Sequence, residues 1–312
     1  MLSYIARRVL TIIPVLLFLS VFVFAIMKIT PGDPAMLLAG QQASEEAIEL
    51  IREKFGLNEP LHVQYWLMMR NLFTGELDSI YYGNDVMSVV MQRLPATLEL
   101  GLAALVIAVV VAIPAGIISA MYRNSVFDYM SMGVALFGVS IPVFFTGILL
   151  IYLFAVTLQW LPASGYGGPI WTVDGLRHVI MPAFALSLVL MASTTRLTRS
   201  SMIEVLEEDY IRTARAKGAR KLRVVVGHGL QNALIPIVTN IGNQFARLFA
   251  GAVLTETVFA WPGAGRLAVN AIFRRDEPLV FATVLFLGAV YVFVNLLVDV
   301  VYTVINPQIS YD

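Results

Sequence analysis

Six runs of apolar residues, each near the roughly 20 that a helix needs to cross a bilayer, divide this chain at about 9–29, 97–121, 130–156, 177–195, 232–255 and 279–303. Polar, charged and turn-forming residues collect between them. The pattern predicts an all-α polytopic membrane protein with six transmembrane helices. The first run ends in Lys28-Ile29-Thr30-Pro31-Gly32-Asp33-Pro34, where two prolines and a glycine stop a helix. Helical periodicity then resumes in shorter pieces. Glu45 to Phe55 predicts an amphipathic helix capped by Ser44 and stopped by Gly56, with Ala47, Ile48, Ile51 and Phe55 on one face. Val63 to Phe73 predicts a second, broken by Gly75, and the glycines and prolines of 157–175 predict a loop. The expected organisation is an N-terminal transmembrane helix (1–30), an external helical subdomain (31–95), a five-helix core (96–303) and a C-terminal tail (304–312).

Pro14, Pro114, Pro142, Pro182 and Pro236 fall inside or at the edge of five of the spans. Each removes a backbone hydrogen bond, tolerated in lipid where neighbouring helices or a wet cavity satisfy the freed carbonyl. Two readings stand: ordinary kinks in a packed bundle, or a bundle that must bend.

Composition agrees with the pattern. The 312 residues are 58% hydrophobic and 13% charged, with a mean hydropathy of +0.78, too apolar for a soluble domain of this size. Lysine and arginine in short loops orient the chain. Arg7, Arg8, Arg123, Arg196, Arg199 and the run from Arg212 to Arg223 share one side, which predicts both termini in the cytoplasm; Arg274 and Arg275 count the other way. The run after Arg7 and Arg8 is too long for a secretory signal and reads as an uncleaved anchor. Without cysteine the chain has no disulfide or thiolate site, and His62, His178 and His228 are scattered without metal-ligand spacing. No nucleotide-binding GxxxxGK[ST] is present, so if ATP drives this chain another subunit binds it. The chain is expected not to be an enzyme.

Two segments carry candidate function. On the fifth span Asn240, Asn243, Gln244 and Arg247 fall at i, i+3, i+4 and i+7 and share one helical face. Such a face either lines a translocation path or glues helices together. Arg247 costs at least about 2.5 to 3.5 kcal/mol near mid-span and does not neutralise, so it needs water, a substrate or a carboxylate such as Glu99. Asp299 in the sixth span supports an alternative, an ion-coupled secondary transporter, unless it merely pairs with Arg196 or Arg199 at the helix end.

The second segment, Glu204 to Pro236, is acidic at its start and then basic. Asp209 is placed to cap a short helix from Tyr210 to Lys217, and Gly218 to end it in the left-handed conformation. Tyr210-Ile211-Arg212-Thr213-Ala214-Arg215-Ala216-Lys217-Gly218, followed by His228-Gly229-Leu230-Gln231-Asn232-Ala233-Leu234-Ile235-Pro236, resembles the EAA loop of ABC importer permeases of the dipeptide/oligopeptide type. Pro31-Gly32-Asp33-Pro34, Thr198-Arg199-Ser200-Ser201-Met202, Thr255-Glu256-Thr257-Val258-Phe259 with Trp261-Pro262-Gly263, and Ile305-Asn306-Pro307 match the family's B-type subunit in order and spacing. Arg212-Thr213-Ala214 replaces the general Glu-Ala-Ala, Gln231 replaces a proline, and Asp78 replaces the second glycine of an external Gly-Asp-Leu-Gly-Ser stretch.

The resemblance implies a type I importer (MetI-like) permease fold and a bacterial or archaeal inner-membrane location. It implies import of di- or oligopeptides or a related small solute with a second, C-type permease, one or two ATPase subunits and an external solute-binding protein, in membrane lipid and without nucleic acid. ATP and magnesium would be held by the ATPases, with no cofactor bound by this chain itself. The coupling loop would be 199–231, with ATPase-coupling residues Tyr210, Arg212, Thr213, Ala214, Ala216, Lys217, Gly218 and His228, and a path along Asn240, Asn243, Gln244 and Arg247.

Overall fold

The computed structural model describes residues 2–29, 34–39, 43–54 and 56–305. Twelve α-helices run through them: α1 (Leu2–Ile29), α2 (Pro34–Ala39), α3 (Glu45–Lys54), α4 (Leu61–Thr74), α5 (Val86–Met121), α6 (Val126–Ser140), α7 (Val143–Leu150), α8 (Val173–Glu207), α9 (Asp209–Ala216), α10 (Gln231–Val258), α11 (Ala264–Phe273) and α12 (Glu277–Ile305). Wider π-helical turns extend α7 to Thr157 and lead into α10 from Arg223. Of Pro31-Gly32-Asp33-Pro34 and Ile305-Asn306-Pro307, residues 31–33 and 306–307 lie outside the described residues, as does Phe55 at the end of the helix expected over Glu45 to Phe55.

Among the described residues five unbroken helical stretches are long and apolar enough to cross a membrane, and α6 with α7 passes the same test as a pair bent by 107°, a sixth span if the two are counted as one. The third apolar run is therefore not one straight helix, as its hydropathy implies. It breaks at Ile141, which is extended (φ −93°, ψ 130°), just before Pro142. A proline's ring disfavours the helical conformation in the residue before it, and here that preference prevails. Pro14, Pro182 and Pro236 lie inside their helices without such a break. The other sequence expectations fall close to their elements. Ser44 Oγ accepts from Ala47 N at 3.3 Å at the start of α3, and Gly75, with φ 73°, ends α4. Asp78 forms an isolated antiparallel bridge with Asp85 outside the left-handed region, so this turn needs no second glycine.

The chain divides into two compact units. One holds residues 2–97 and 262–292. Its core joins Val23, Phe24 and Met27 of α1 to Leu72, Val86, Val90, Leu267 and Phe281. Buried Asp276 organises it, accepting from Ser79 Oγ at 2.5 Å, Tyr81 N at 3.0 Å and Leu279 N at 3.1 Å, the last bond capping α12. The Arg274 guanidinium lies 3.5 Å from the Tyr81 ring centroid, and Lys28 pairs with Glu277 at 2.9 Å.

The other unit holds Leu98–Trp261 and the chain from Phe293 onward. Its centre is α8, the most buried of the unbroken spans, studded with the small buried residues Ser187, Thr194, Thr195 and Thr198. Small side chains let membrane helices approach closely. Gly116 of α5 shows how closely: a Cβ there would lie 2.5 Å from Thr198 Cβ and 2.9 Å from Thr195 O. At this end of α8, Arg199 grips Asp128 of α6 with two bonds, Nε to Oδ1 at 2.6 Å and Nη2 to Oδ2 at 2.7 Å. Ser119 Oγ donates to Oδ1 and Asn124 N to Oδ2 at 2.9 Å. The cluster ties α5, the turn after it, α6 and α8 together around a carboxylate that is only 2% exposed. Arg199 therefore pairs with Asp128, not with Asp299, whose side chain lies outside the described residues.

Removing one partner of a buried pair strands the other charge, which costs about 3–5 kcal/mol. Asp128→Ala is expected to lower the thermal unfolding midpoint of the detergent-purified chain steeply, whereas Asp128→Leu with Arg199→Met should recover most of the loss. Equal midpoints for Asp128→Ala and the wild type would show that the cluster does not hold the helices.

Candidate functional site

Both candidate segments lie in the unit centred on α8. Helix α9 follows α8 after a single extended residue, Glu208, whose side chain makes no capping bond. Asp209, expected as the cap, is instead the first helical residue. Its carboxylate accepts from Arg212 Nη1 at 3.2 Å, an exposed pair of small energetic worth, and its carbonyl from Thr213 Oγ1 at 3.0 Å. Ile211 is fully buried, while Tyr210, Arg212, Thr213, Ala216, Lys217 and Gly218 are exposed and Ala214 half-buried. One apolar side chain anchors the helix and leaves its remaining surface open. Tyr210 adds a second tether, its phenol oxygen accepting from Asn232 Nδ2 at 2.7 Å.

The C-terminal end follows the sequence expectation. Gly218 has φ +79°, and the amides of Gly218 and Ala219 close the helix onto Arg215 O at 3.0 Å and Ala214 O at 3.2 Å. A Cβ at Gly218 would meet nothing within 4 Å, so the glycine answers to backbone conformation and not to crowding. The π-helical turn that follows buries Val224 and Val225 and leaves His228 exposed, its carbonyl accepting from Asn232 Nδ2 at 3.3 Å. Asn232 thus reaches both α9 and the chain that follows it.

On α10 the polar face separates into two pairs. Asn240 Oδ1 accepts from Gln244 Nε2 at 2.9 Å, and Gln244 Nε2 also reaches Ser193 Oγ of α8. Gln244 thus joins α10 to α8, while Asn240 braces the Gln244 amide from within α10. Asn240 Nδ2 is buried with no partner among the described residues. Asn243 and Arg247 are exposed and make no hydrogen bond or ion pair with any described residue. Glu99 is not the partner of Arg247. It accepts from the Tyr166 hydroxyl at 3.0 Å, and burial, then the adjacent carboxylate, raises the Tyr166 phenol above its ordinary value.

Residues 112–311 match the family described as the binding-protein-dependent transport system inner membrane component, and residues 1–101 match the N-terminal part of the membrane component of such systems. The chain belongs to this family. A dipeptide transport system permease of Alkalihalophilus pseudofirmus is 42% identical over 333 aligned residues. Glutathione transport system permeases of two Escherichia coli strains are 43% and 42% identical over 312. In each case both chains are covered in full. This permease is therefore a multi-pass inner-membrane subunit of an ABC transport system that works with ATPase partners, and it is not an enzyme. The family and the relatives support an importer permease and not the ion-coupled carrier read from Asp299.

Sequence reasoning missed Ser193, Asn232 as a tether, and the Tyr166 contact with Glu99. Only distant pairing gives these residues a role, and no local pattern marks it. The division of the polar face yields a direct test. Interhelical hydrogen bonds in membranes contribute about 0.6 kcal/mol on average, so Gln244→Leu should lower the thermal midpoint modestly, while Arg247→Gln should leave stability within about 0.5 kcal/mol of wild type and the midpoint nearly unchanged. A strongly destabilised Arg247→Gln would reveal a structural partner for the guanidinium.

Proposed function

We propose that the permease forms, with a second and similar permease, the translocation path of an ATP-driven importer for di- or oligopeptides or a related small solute such as glutathione. The relatives named for dipeptide and glutathione transport support the substrate class. A solute-binding protein delivers the substrate from outside, and one or two ATPase subunits hold ATP and magnesium. Both termini face the cytoplasm, as lysine and arginine in the short loops favour.

The observation that carries the coupling assignment is α9: a short helix held by Ile211 and Tyr210, otherwise exposed, and stopped by a left-handed glycine. Tyr210, Arg212, Thr213, Ala214, Ala216, Lys217, Gly218 and His228 form the contact surface for the ATPase. Its acidic start and basic end match the helix dipole, which keeps so short a helix formed. When the ATPases close, a tethered helix moves as a body and carries the ends of α8 and α10 with it. Along the path Asn240 and Gln244 keep the helices in register, while Asn243 and Arg247 meet the substrate. Arg247 offers a fixed positive charge and a planar fork suited to a carboxylate.

Proteoliposomes holding both permeases, the ATPases and the binding protein are expected to take up labelled dipeptide or glutathione with ATP inside and without an ion gradient. Uptake driven by an ion gradient in the absence of ATPase would overturn the assignment. Gly218→Val forces a side chain into the left-handed region at a cost of about 1–2 kcal/mol, and is expected to weaken ATPase retention on copurification while leaving the membrane core folded. Arg247→Gln should keep ATPase retention and lose uptake of substrates with a free carboxylate.

A further inference from the structure

Beyond the path and the coupling surface, a cavity of about 520 Å³ opens where α5 ends, walled by α8, α9 and the segment that follows α9. Its interior is apolar, with Ala120, Ile203, Leu206, Val224 and Val225. Its rim is charged and unbalanced, with Arg123, Arg215 and Lys221 against the single carboxylate Glu207. Glu207 is already engaged by Arg123 at 3.2 Å, which leaves Arg215 and Lys221 as uncompensated cations at the mouth. A cavity with a cationic rim and an apolar interior fits a ligand with an anionic head and a hydrocarbon body.

A second observation points to the membrane as the source. Large apolar side chains stand exposed beside Lys221: Leu222 at 70%, its neighbour in the chain, and Tyr122 at 53%. The Lys221 ammonium lies 5.0 Å from the Tyr122 ring centroid, a cation and an amphipathic ring side by side. Aromatic and aliphatic side chains next to lysine and arginine at the end of a span are the mark of a membrane interface. We propose that this cavity is a binding site for the headgroup of an anionic phospholipid of the cytoplasmic leaflet, the phosphate lying between Arg215 and Lys221 and the upper acyl chain over Leu206 and Val225. The cytoplasmic placement rests on the orientation proposed above. Arg215 belongs to α9, so the bound lipid links the coupling helix to the bilayer that it moves against.

The test reads lipid retention and does not depend on transport. Full-length permease in detergent is exchanged with mixed micelles of phosphatidylcholine and phosphatidylglycerol, and bound lipid is counted by native mass spectrometry. Wild type is expected to keep one phosphatidylglycerol in preference to phosphatidylcholine, and Arg215→Gln with Lys221→Gln to keep it about thirtyfold more weakly, the effect of two basic residues near an anionic surface. Arg212→Gln with Lys217→Gln removes the same charge outside the cavity and should retain the lipid. Ala219→Phe fills the cavity with its charges intact and should expel it. Retention unchanged in both cavity variants, or lost equally with the outside pair, overturns the site. Displacement of the lipid by inorganic phosphate alone assigns the cavity to a free anion and overturns the lipid assignment.

Discussion

Hydrocarbon offers no hydrogen-bond partner, so each charge placed within a membrane bundle must find its counterpart inside the protein. Asp128 meets that constraint with a full set of donors: both arms of Arg199, the Ser119 hydroxyl and the Asn124 amide. The result is more than one satisfied carboxylate. Three helices and a turn converge on it, and beside it the missing side chain of Gly116 lets α5 close on Thr198 of α8. From this fixed end α8 continues to Glu207, and α9 begins after one further residue. Helix α9, the proposed coupling helix, is thus mounted on a firmly held end of α8.

Much of this was legible in the sequence, and particular residues show where legibility stopped. Spans, the short helices α3 and α4, and α9 each announce themselves locally, through apolar runs, Ser44 and Gly75 at helix ends, and the Tyr210 to Gly218 pattern. Such signals depend on neighbours in the chain. The break at Ile141 and Pro142 did not announce itself, because four other prolines sit in similar apolar runs. Whether a proline bends or breaks a helix depends on what its freed carbonyl meets, and that is a tertiary matter. Helix α11 escaped notice for a different reason, ten residues being too few to stand out beside the long spans.

The ionic pairings were the least legible. Arg199 had Asp299 as its nearest evident candidate by position along the span, and Arg247 had Glu99. Arg199 took Asp128, 71 residues away, and Glu99 took Tyr166. Charge and depth alone do not rank such partners; geometry does, since a guanidinium favours a carboxylate that both its arms can reach. Arg247 was left with no described partner, so the constraint that satisfied Asp128 is unmet there until something else enters. One helix face therefore holds both kinds of polar residue, one pair used in assembly and another left available.

The bent third span has a mechanical side. Its first half is fastened to α8 by Asp128 and by Gly138, which lies against Ala192, and its second half both to α8, where Val143, Leu150 and Phe154 pack on Met181 and Ala185, and to α10 through Gly147, beneath Phe259. A straight rod would transmit a twist applied at one surface directly to the other. With a corner of 107° between the halves, torque on α6 reaches α7 chiefly by way of the neighbouring helices, so the span behaves as two short struts that share α8 as a mounting.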